Sequence, residues 1–153
     1  TDLGYGQALR ELFREGTPDG PVPVPLVQAV IEVLGDWRPD VDAIVETESV
    51  SRPELVGSVA DGLSRYLRVP LLGRWAVLDP DVPPGRGAAN SAQRVAAGSR
   101  RCGLEADPGA LEGRRVLLVD DLVDTGWTTT LAARAVLRAG ASSVSPLVLA
   151  VRA

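Results

Sequence analysis

The residue types best suited to chemistry lie together in Val116-Leu117-Leu118-Val119-Asp120-Asp121-Leu122-Val123-Asp124-Thr125-Gly126-Trp127-Thr128-Thr129-Thr130. Adjacent carboxylates accept hydrogen bonds from vicinal hydroxyls and repel phosphate, so Asp120 and Asp121 suit a neutral polyol or a divalent cation. The Asp-Thr-Gly turn suits the opposite partner. Thr125, Thr128 and Thr129 offer hydroxyl donors and a helix cap, and Gly126 lets the backbone approach closely. Together these residues specify a sugar phosphate, with the sugar over the acids and the phosphate over the turn.

Those side chains need a strand and a helix to hold them. The apolar run Val116 to Val119 is short enough for a buried parallel strand, with the two acids closing it. An Ala/Leu-rich helix follows from Trp127 to Ala139 and is stopped by Gly140. In an open α/β sheet, ligands sit beyond the carboxyl ends of strands, where a helix start presents unpaired N–H groups and the positive end of its dipole. A strand end with merely solvated acids and an ordinary helix cap is the bland alternative, and the added Asp-Thr-Gly-x-Thr argues against it.

Composition removes many other chemistries. The 153 residues fit one domain, and they include no histidine, lysine or methionine. Histidine acid/base catalysis, Schiff bases, P-loop lysines and His-ligated metals are thereby excluded. A Walker B strand would need a P-loop lysine, and a receiver domain would need a lysine after the acid pair. The single Cys102 has no internal disulfide partner and reads as an inert thiol, which with the absence of a secretory signal makes a cytoplasmic setting the default. No apolar run is long enough for a membrane span. A net charge of −4 opposes a sequence-independent DNA clamp.

In chain order, residues 3 to 15 suit a short amphipathic helix ended by Gly16, and Thr17 to Pro21 a turn. A helix is expected from about Leu26 to Leu34, with Trp37 packed inside. Val41 to Thr47 reads as a strand, residues 46 to 53 as a polar loop, Glu54 to Leu67 as a helix and Val69 to Leu78 as a strand. Asp79 to Gly87 is irregular. Asn90 to Ala97 is either an exposed helix start or a lid over the sugar-phosphate site, in which Asn90, Gln93 and Arg94 face the group attached to the sugar. Val144 to Val151 completes a parallel α/β sheet flanked by helices.

The pattern Val116 to Thr128 resembles the phosphoribosyl-diphosphate (PRPP) signature of type I phosphoribosyltransferases, with Trp127 where a smaller residue is usual. The resemblance implies that Asp120 and Asp121 bind ribose and that Asp124, Thr125, Gly126, Trp127 and Thr128 cradle the 5′-phosphate. It further implies a pyrophosphate loop at Ser49, Val50, Ser51 and Arg52, and Mg²⁺ when PRPP is bound, with no metal ligated directly by the protein. Val50 stands where a cation would help. Glu46 and Glu48, if about 6 Å from a polyanion, would oppose it by roughly 1 to 3 kcal/mol.

A narrower resemblance rests on Leu3-Gly4-Tyr5-Gly6, Ser51-Arg52-Pro53-Glu54-Leu55-Val56-Gly57-Ser58, Asn90-Ser91-Ala92-Gln93-Arg94 and Val119 to Thr128. These look like the C-terminal phosphoribosyltransferase-like domain of bacterial RecQ-like DNA helicases. That implies residues 1–16 as a connector to an upstream helicase, and 17–153 as the domain, with a hood around 79–103 carrying Asn90, Ser91, Gln93 and Arg94. Upstream helicase and zinc-binding modules, and DNA reached through them, would be the partners. The lack of an initiator methionine suits a piece of a longer polypeptide. On this expectation the domain is an accessory module for DNA repair that keeps a pocket for a phosphorylated ribose or nucleotide, with negligible transferase turnover. The alternative is an active Mg-dependent transferase using PRPP, with Asp124 as catalytic proton acceptor or donor.

Overall fold

A computed structural model describes residues 2–81, 90, 92, 93, 96 and 100–152. Helix α1 (Asp2–Leu12) is followed by α2 (Val24–Trp37), β1 (Ala43–Thr47), α3 (Pro53–Leu67), β2 (Leu71–Val77), β3 (Cys102–Ala106), β4 (Arg115–Val123), α4 (Trp127–Arg138) and β5 (Ser143–Val151). The sheet has strand order β3-β2-β1-β4-β5. It is parallel except for β3, which runs antiparallel to β2. This α/β architecture, a mostly parallel sheet flanked by helices, is the one expected from the alternating patterns.

Strand alternation sends successive side chains to opposite faces, which gives the sheet two cores. Ile44, Leu117, Val119, Leu147 and Leu149 face α1, α2 and α3, where Leu12, Leu26, Leu34, Leu55, Val59 and Leu63 are buried. Ala43, Val45, Val116 and Leu118 face α4 through Leu131, Ala132 and Val136. Helix α1 belongs to the first layer: Tyr5, Ala8, Leu9 and Phe13 pack against that core, and the Tyr5 hydroxyl donates to the Leu149 carbonyl at 2.6 Å.

The path of the chain locates the crevice. From β1 it crosses through α3 on one face to β2, and from β4 through α4 on the other face to β5. The direction of winding therefore reverses between β1 and β4, and the carboxyl ends of those neighbours frame the place where ligands bind in open sheets. Their register, Val45 beside Leu118 and Glu46 beside Val119, brings Thr47 level with the acids. At the opposite end, Asp42 accepts from the Arg115 N–H at 2.9 Å and from its guanidinium at 3.1 Å, which pins the pairing.

Several local expectations change. Strand β4 does not close at the acids but runs on to Val123, because β5 continues the ladder through Leu122 beside Ala150 and Val123 beside Val151. Backbone pairing is indifferent to side-chain charge. Helix α2 begins at Val24, with Pro25 in its first turn where no N–H is required. Trp37 is 42% exposed at that helix's end and is not a core residue. Strand β3 had no counterpart in the sequence reading, since CGLEA lacks both an apolar run and strict alternation. Burial of Cys102 pushes its thiol pKa up, as does Glu48, against the opposing effect of Arg101, which suits an inert thiol.

The β2–β3 contact depends on one glycine. A Cβ on Gly73 would lie 2.9 Å from the Glu105 carbonyl oxygen and 3.1 Å from the Ala106 Cβ. Gly73→Ala is expected to lower stability by about 1 to 3 kcal/mol, as for an overpacked site. Urea denaturation measures it, and a loss below about 0.5 kcal/mol would mean that the edge strand yields freely.

Candidate functional site

Both carboxylates of the acid pair are nearly buried, each with 8% of its surface exposed. By alternation along β4, Asp120 points with Leu118 toward the α4 face and Asp121 with Val119 toward the α3 face. Each carboxylate turns back onto the next backbone amide: Asp120 accepts from the Asp121 N–H and Asp121 from the Leu122 N–H, both at 2.8 Å. No buried side-chain polar atom is left without a partner among the described residues. The acids are thus held in fixed orientations near the carboxyl end of β4, with Leu122 and Val123 still to follow in the strand.

Burial, together with a hydrogen bond and the charge of Asp121, pushes the Asp120 pKa from 3.8 up to about 7, against the opposing hydrogen bonds from Thr47 and the Asp121 N–H. A carboxylate so far from water gains strongly from any ligand that brings hydroxyl donors. Vicinal diols meet that need.

Of the first loop, the structure brings Ser49 to the acids. Its hydroxyl donates to Asp121 Oδ2 at 3.1 Å and accepts the Arg52 N–H at 3.0 Å, tying the loop's start and end to β4. Val50 is 76% exposed and Ser51 is exposed. Arg52 itself does not reach the acids, because its guanidinium stacks 5.0 Å from the centre of the Phe13 ring. The loop is also braced from below: Asp19 accepts from the N–H groups of Glu54 and Leu55 at 2.7 and 3.1 Å, capping α3 from a segment far away in sequence.

The two glutamates turn toward β2. Glu48 accepts the Val77 N–H at 2.8 Å, and Glu46, paired with Arg74 across the strands, is raised in pKa by burial and by Asp61 and Glu48 against the charge of Arg74. Their negative charge is directed to the sheet rather than into the loop.

Beyond β4, Gly126 caps α4 with φ of 82°, a left-handed conformation natural to glycine. No side chain caps this helix, so Thr125, Thr128 and Thr129 do not play that part here. The first N–H groups of α4 have no intrahelical acceptors by helix geometry, and they point at the turn. Thr125 and Thr128 are exposed, and Gly126 and Trp127 are partly buried. The turn therefore stands open to an anion rather than under other packing. Asp124 is half-exposed and lies 3.8 Å from Arg152, a partner that sequence reading missed because it falls at the end of β5. Gly126→Val is expected to weaken binding of ribose 5-phosphate by at least tenfold, since a β-branched residue resists that φ. Calorimetry reads the effect, and unchanged affinity would remove the turn from the site.

Thr47 is the other residue missed. It is 1% exposed at the end of β1, and its hydroxyl donates to the Val119 carbonyl at 3.2 Å. A lone threonine in an apolar strand carries no pattern that sequence alone could detect. In the expected hood, Asn90 and Gln93 are exposed, with the Asn90 side chain accepting the Gln93 N–H at 3.0 Å. Ser91 and Arg94 lie outside the described residues. Among those residues no cluster of three or more His, Cys, Asp or Glu side chains could hold a metal, and no helix is long and apolar enough to cross a membrane.

Comparison with known proteins agrees with this geometry. The phosphoribosyl transferase domain model matches residues 58–153, more than half of the chain. An adenine phosphoribosyltransferase of Synechococcus sp. (strain RCC307) is 36% identical over 142 residues, spanning 88% of this chain and 78% of that protein. The crystal structure of adenine phosphoribosyltransferase from Thermoanaerobacter pseudethanolicus superposes with a TM-score of 0.55 at 23% identity, covering 95% of this chain and 86% of that one. A purine phosphoribosyltransferase from Pyrococcus horikoshii gives 0.52 at 20% identity, covering 99% and 75%. These structures share the fold.

The match along most of a transferase overturns the expected role as a helicase accessory domain, and with it the helicase and zinc-binding modules and DNA as partners. Of the four segments behind that expectation, Val119 to Thr128 carries the acid pair and the Asp-Thr-Gly turn that had already pointed to type I phosphoribosyltransferases. With the family model, the curated relative and the fold in agreement, the chain belongs to the phosphoribosyl transferase domain family.

Proposed function

We propose that this protein transfers a phosphoribosyl group from PRPP to a purine base, with adenine the first candidate. The observation that carries the reading is the similarity to an adenine phosphoribosyltransferase along most of both chains. The acid pair and the open turn supply matching chemistry at the point where the winding reverses. In this reading Asp120 and Asp121 accept from the ribose 2′- and 3′-hydroxyls, and residues Asp124 to Thr128 hold the 5′-phosphate at the start of α4. Ser49, Val50, Ser51 and Arg52 line the diphosphate side through backbone N–H groups and hydroxyls, with Arg52 leaving Phe13 to supply a cation. Asn90, Ser91, Gln93 and Arg94 remain candidates for the base side.

The bond from ribose C1 to the diphosphate oxygen breaks, and a bond from C1 to a ring nitrogen of the base forms. The electron pair leaves with diphosphate, and the proton on the attacking nitrogen passes to an acceptor, for which Asp124 is the candidate. Mg²⁺ suits this donor set as an ion carried with the substrate: it takes oxygen ligands, keeps several waters and needs only one or two carboxylates besides phosphate. Asp120 and Asp121 would hold it through water, and it would neutralise charge on the departing diphosphate.

The test is an assay with PRPP, Mg²⁺ and a panel of adenine, guanine, hypoxanthine, uracil and orotate, following nucleotide and pyrophosphate together. Adenosine monophosphate with equimolar pyrophosphate is the expected product. PRPP binding without turnover on any base would refute the transferase reading.

A further inference from the structure

We propose that Phe13, just past the end of α1, is a positioning residue for Arg52: its ring holds the guanidinium away from the empty site and yields it to diphosphate when substrate arrives. The inference rests on the reading of Ser49 to Arg52 as the diphosphate side and adds a residue from outside that loop. Arg52 is the one cation between Glu48 and Pro53. Its guanidinium carbon lies 5.0 Å from the centre of the Phe13 ring, within the distance at which a cation is attracted to an aromatic face.

The backbone of Arg52 is fixed, which leaves its side chain alone to choose a partner. The Arg52 N–H donates to the Ser49 hydroxyl at 3.0 Å, and the Arg52 carbonyl accepts the Val56 N–H at 3.2 Å at the start of α3. The same Ser49 hydroxyl donates to Asp121 at 3.1 Å, so a single hydroxyl bridges the Arg52 backbone and the ribose side. Phe13 is held as firmly. Its N–H donates to the Leu9 carbonyl at 3.0 Å, and its side chain packs against the core with Tyr5 and Leu9. The chain that leaves α1 then returns to α3, where Asp19 accepts from the N–H groups of Glu54 and Leu55 at 2.7 and 3.1 Å. Two anchored backbones thus meet through one side-chain contact.

Diphosphate can displace that contact. A ring face offers a guanidinium one weak attraction, whereas diphosphate offers several charged oxygens in the geometry that the planar fork matches. Rotation about the Arg52 side-chain bonds exchanges one partner for the other while Ser49 keeps its hydrogen bond to Asp121. In the empty site the ring keeps the guanidinium from the nearly buried carboxylates of the acid pair and leaves them open to ribose. The apparent affinity for diphosphate is reduced by the factor with which the ring favours the held position.

Phe13→Leu removes the ring and keeps an apolar side chain against the core. Calorimetry with inorganic pyrophosphate and Mg²⁺ is expected to show about two- to fivefold tighter binding in Phe13→Leu than in the parent, the range of a partly exposed cation–π contact. Arg52→Gln should weaken binding at least about tenfold, and adding Phe13→Leu to it should change nothing further. A merely structural role for Phe13 cannot produce a gain that vanishes with Arg52. Equal or weaker binding in Phe13→Leu, or a gain that persists in the double variant, overturns the proposal. A second measurement needs no variant. The Arg52 Hδ protons, followed by NMR, should be shifted upfield by the Phe13 ring in the unliganded protein and return to their ordinary range at saturating pyrophosphate. A shift absent from the unliganded protein, or one that survives saturation, also overturns it. If Arg52→Gln binds pyrophosphate as tightly as the parent, or if no protein binds it, the diphosphate reading of the loop fails and this inference with it. If Arg52→Gln weakens binding while Phe13→Leu leaves it unaltered, the loop reading stands and the role of Phe13 alone is refuted.

Discussion

Replacing Asp120 and Asp121 together by alanine is expected to abolish the heat of PRPP binding in the presence of Mg²⁺, a loss of at least a hundredfold in affinity. The reason is geometric as much as electrostatic. Both carboxylates are nearly buried and already aimed by backbone N–H donors at 2.8 Å, so little side-chain freedom remains to be lost when ribose hydroxyls arrive. Two hydrogen bonds to charged acceptors, each contributing about 1.5 to 3 kcal/mol, account for that loss. Phosphate held at the α4 turn should survive, so inorganic phosphate serves as the internal control. Unchanged PRPP heat in the double variant would take the acid pair out of the site.

A second large effect concerns stability. Asp120 has a pKa of about 7 in the folded protein, raised chiefly by burial from 3.8, its ordinary value. Between these values the native state binds more protons than the unfolded chain, so the protein loses stability as pH rises from about 4 to about 7 and levels off above. The full excursion corresponds to at most about 4 kcal/mol. Asp120→Asn cannot ionise and escapes this loss. It is therefore expected to be more stable than the parent at pH 8, with the advantage fading as pH falls toward 4. Urea denaturation of both proteins across that range decides the matter. Parallel pH profiles would show that the Asp120 carboxylate carries no such strain.

The elements that sequence revealed best were those with strong periodicity. Helix α3 was expected from Glu54 to Leu67 and spans Pro53–Leu67, and α4 was expected from Trp127 to Ala139 and spans Trp127–Arg138. Their apolar stripes are written at helical spacing. Strand β3 was hidden because it lies at the sheet's edge, where half-exposed positions relax the pattern. The extension of β4 past its acids was hidden for another reason: pairing depends on how long the neighbour is, and β5 runs to Val151. The narrower family likeness rested on four separate segments between Leu3 and Thr128, none of which reports on neighbouring modules.

What the amino-acid order determined by itself is the chemical repertoire. Without histidine, lysine or methionine, and with two carboxylates before an Asp-Thr-Gly turn, only recognition by acids, hydroxyls, arginines and backbone remained, and a phosphorylated sugar was the ligand to expect. Tertiary structure decided which groups meet. It brought Ser49 to Asp121 and Thr47 to the Val119 carbonyl across the β1–β4 boundary, and it drew Arg52 onto Phe13. Separations of 72 residues in the first two cases carry no local signature. Such contacts are set by strand register and by which face a side chain takes, quantities that exist only once distant strands have paired.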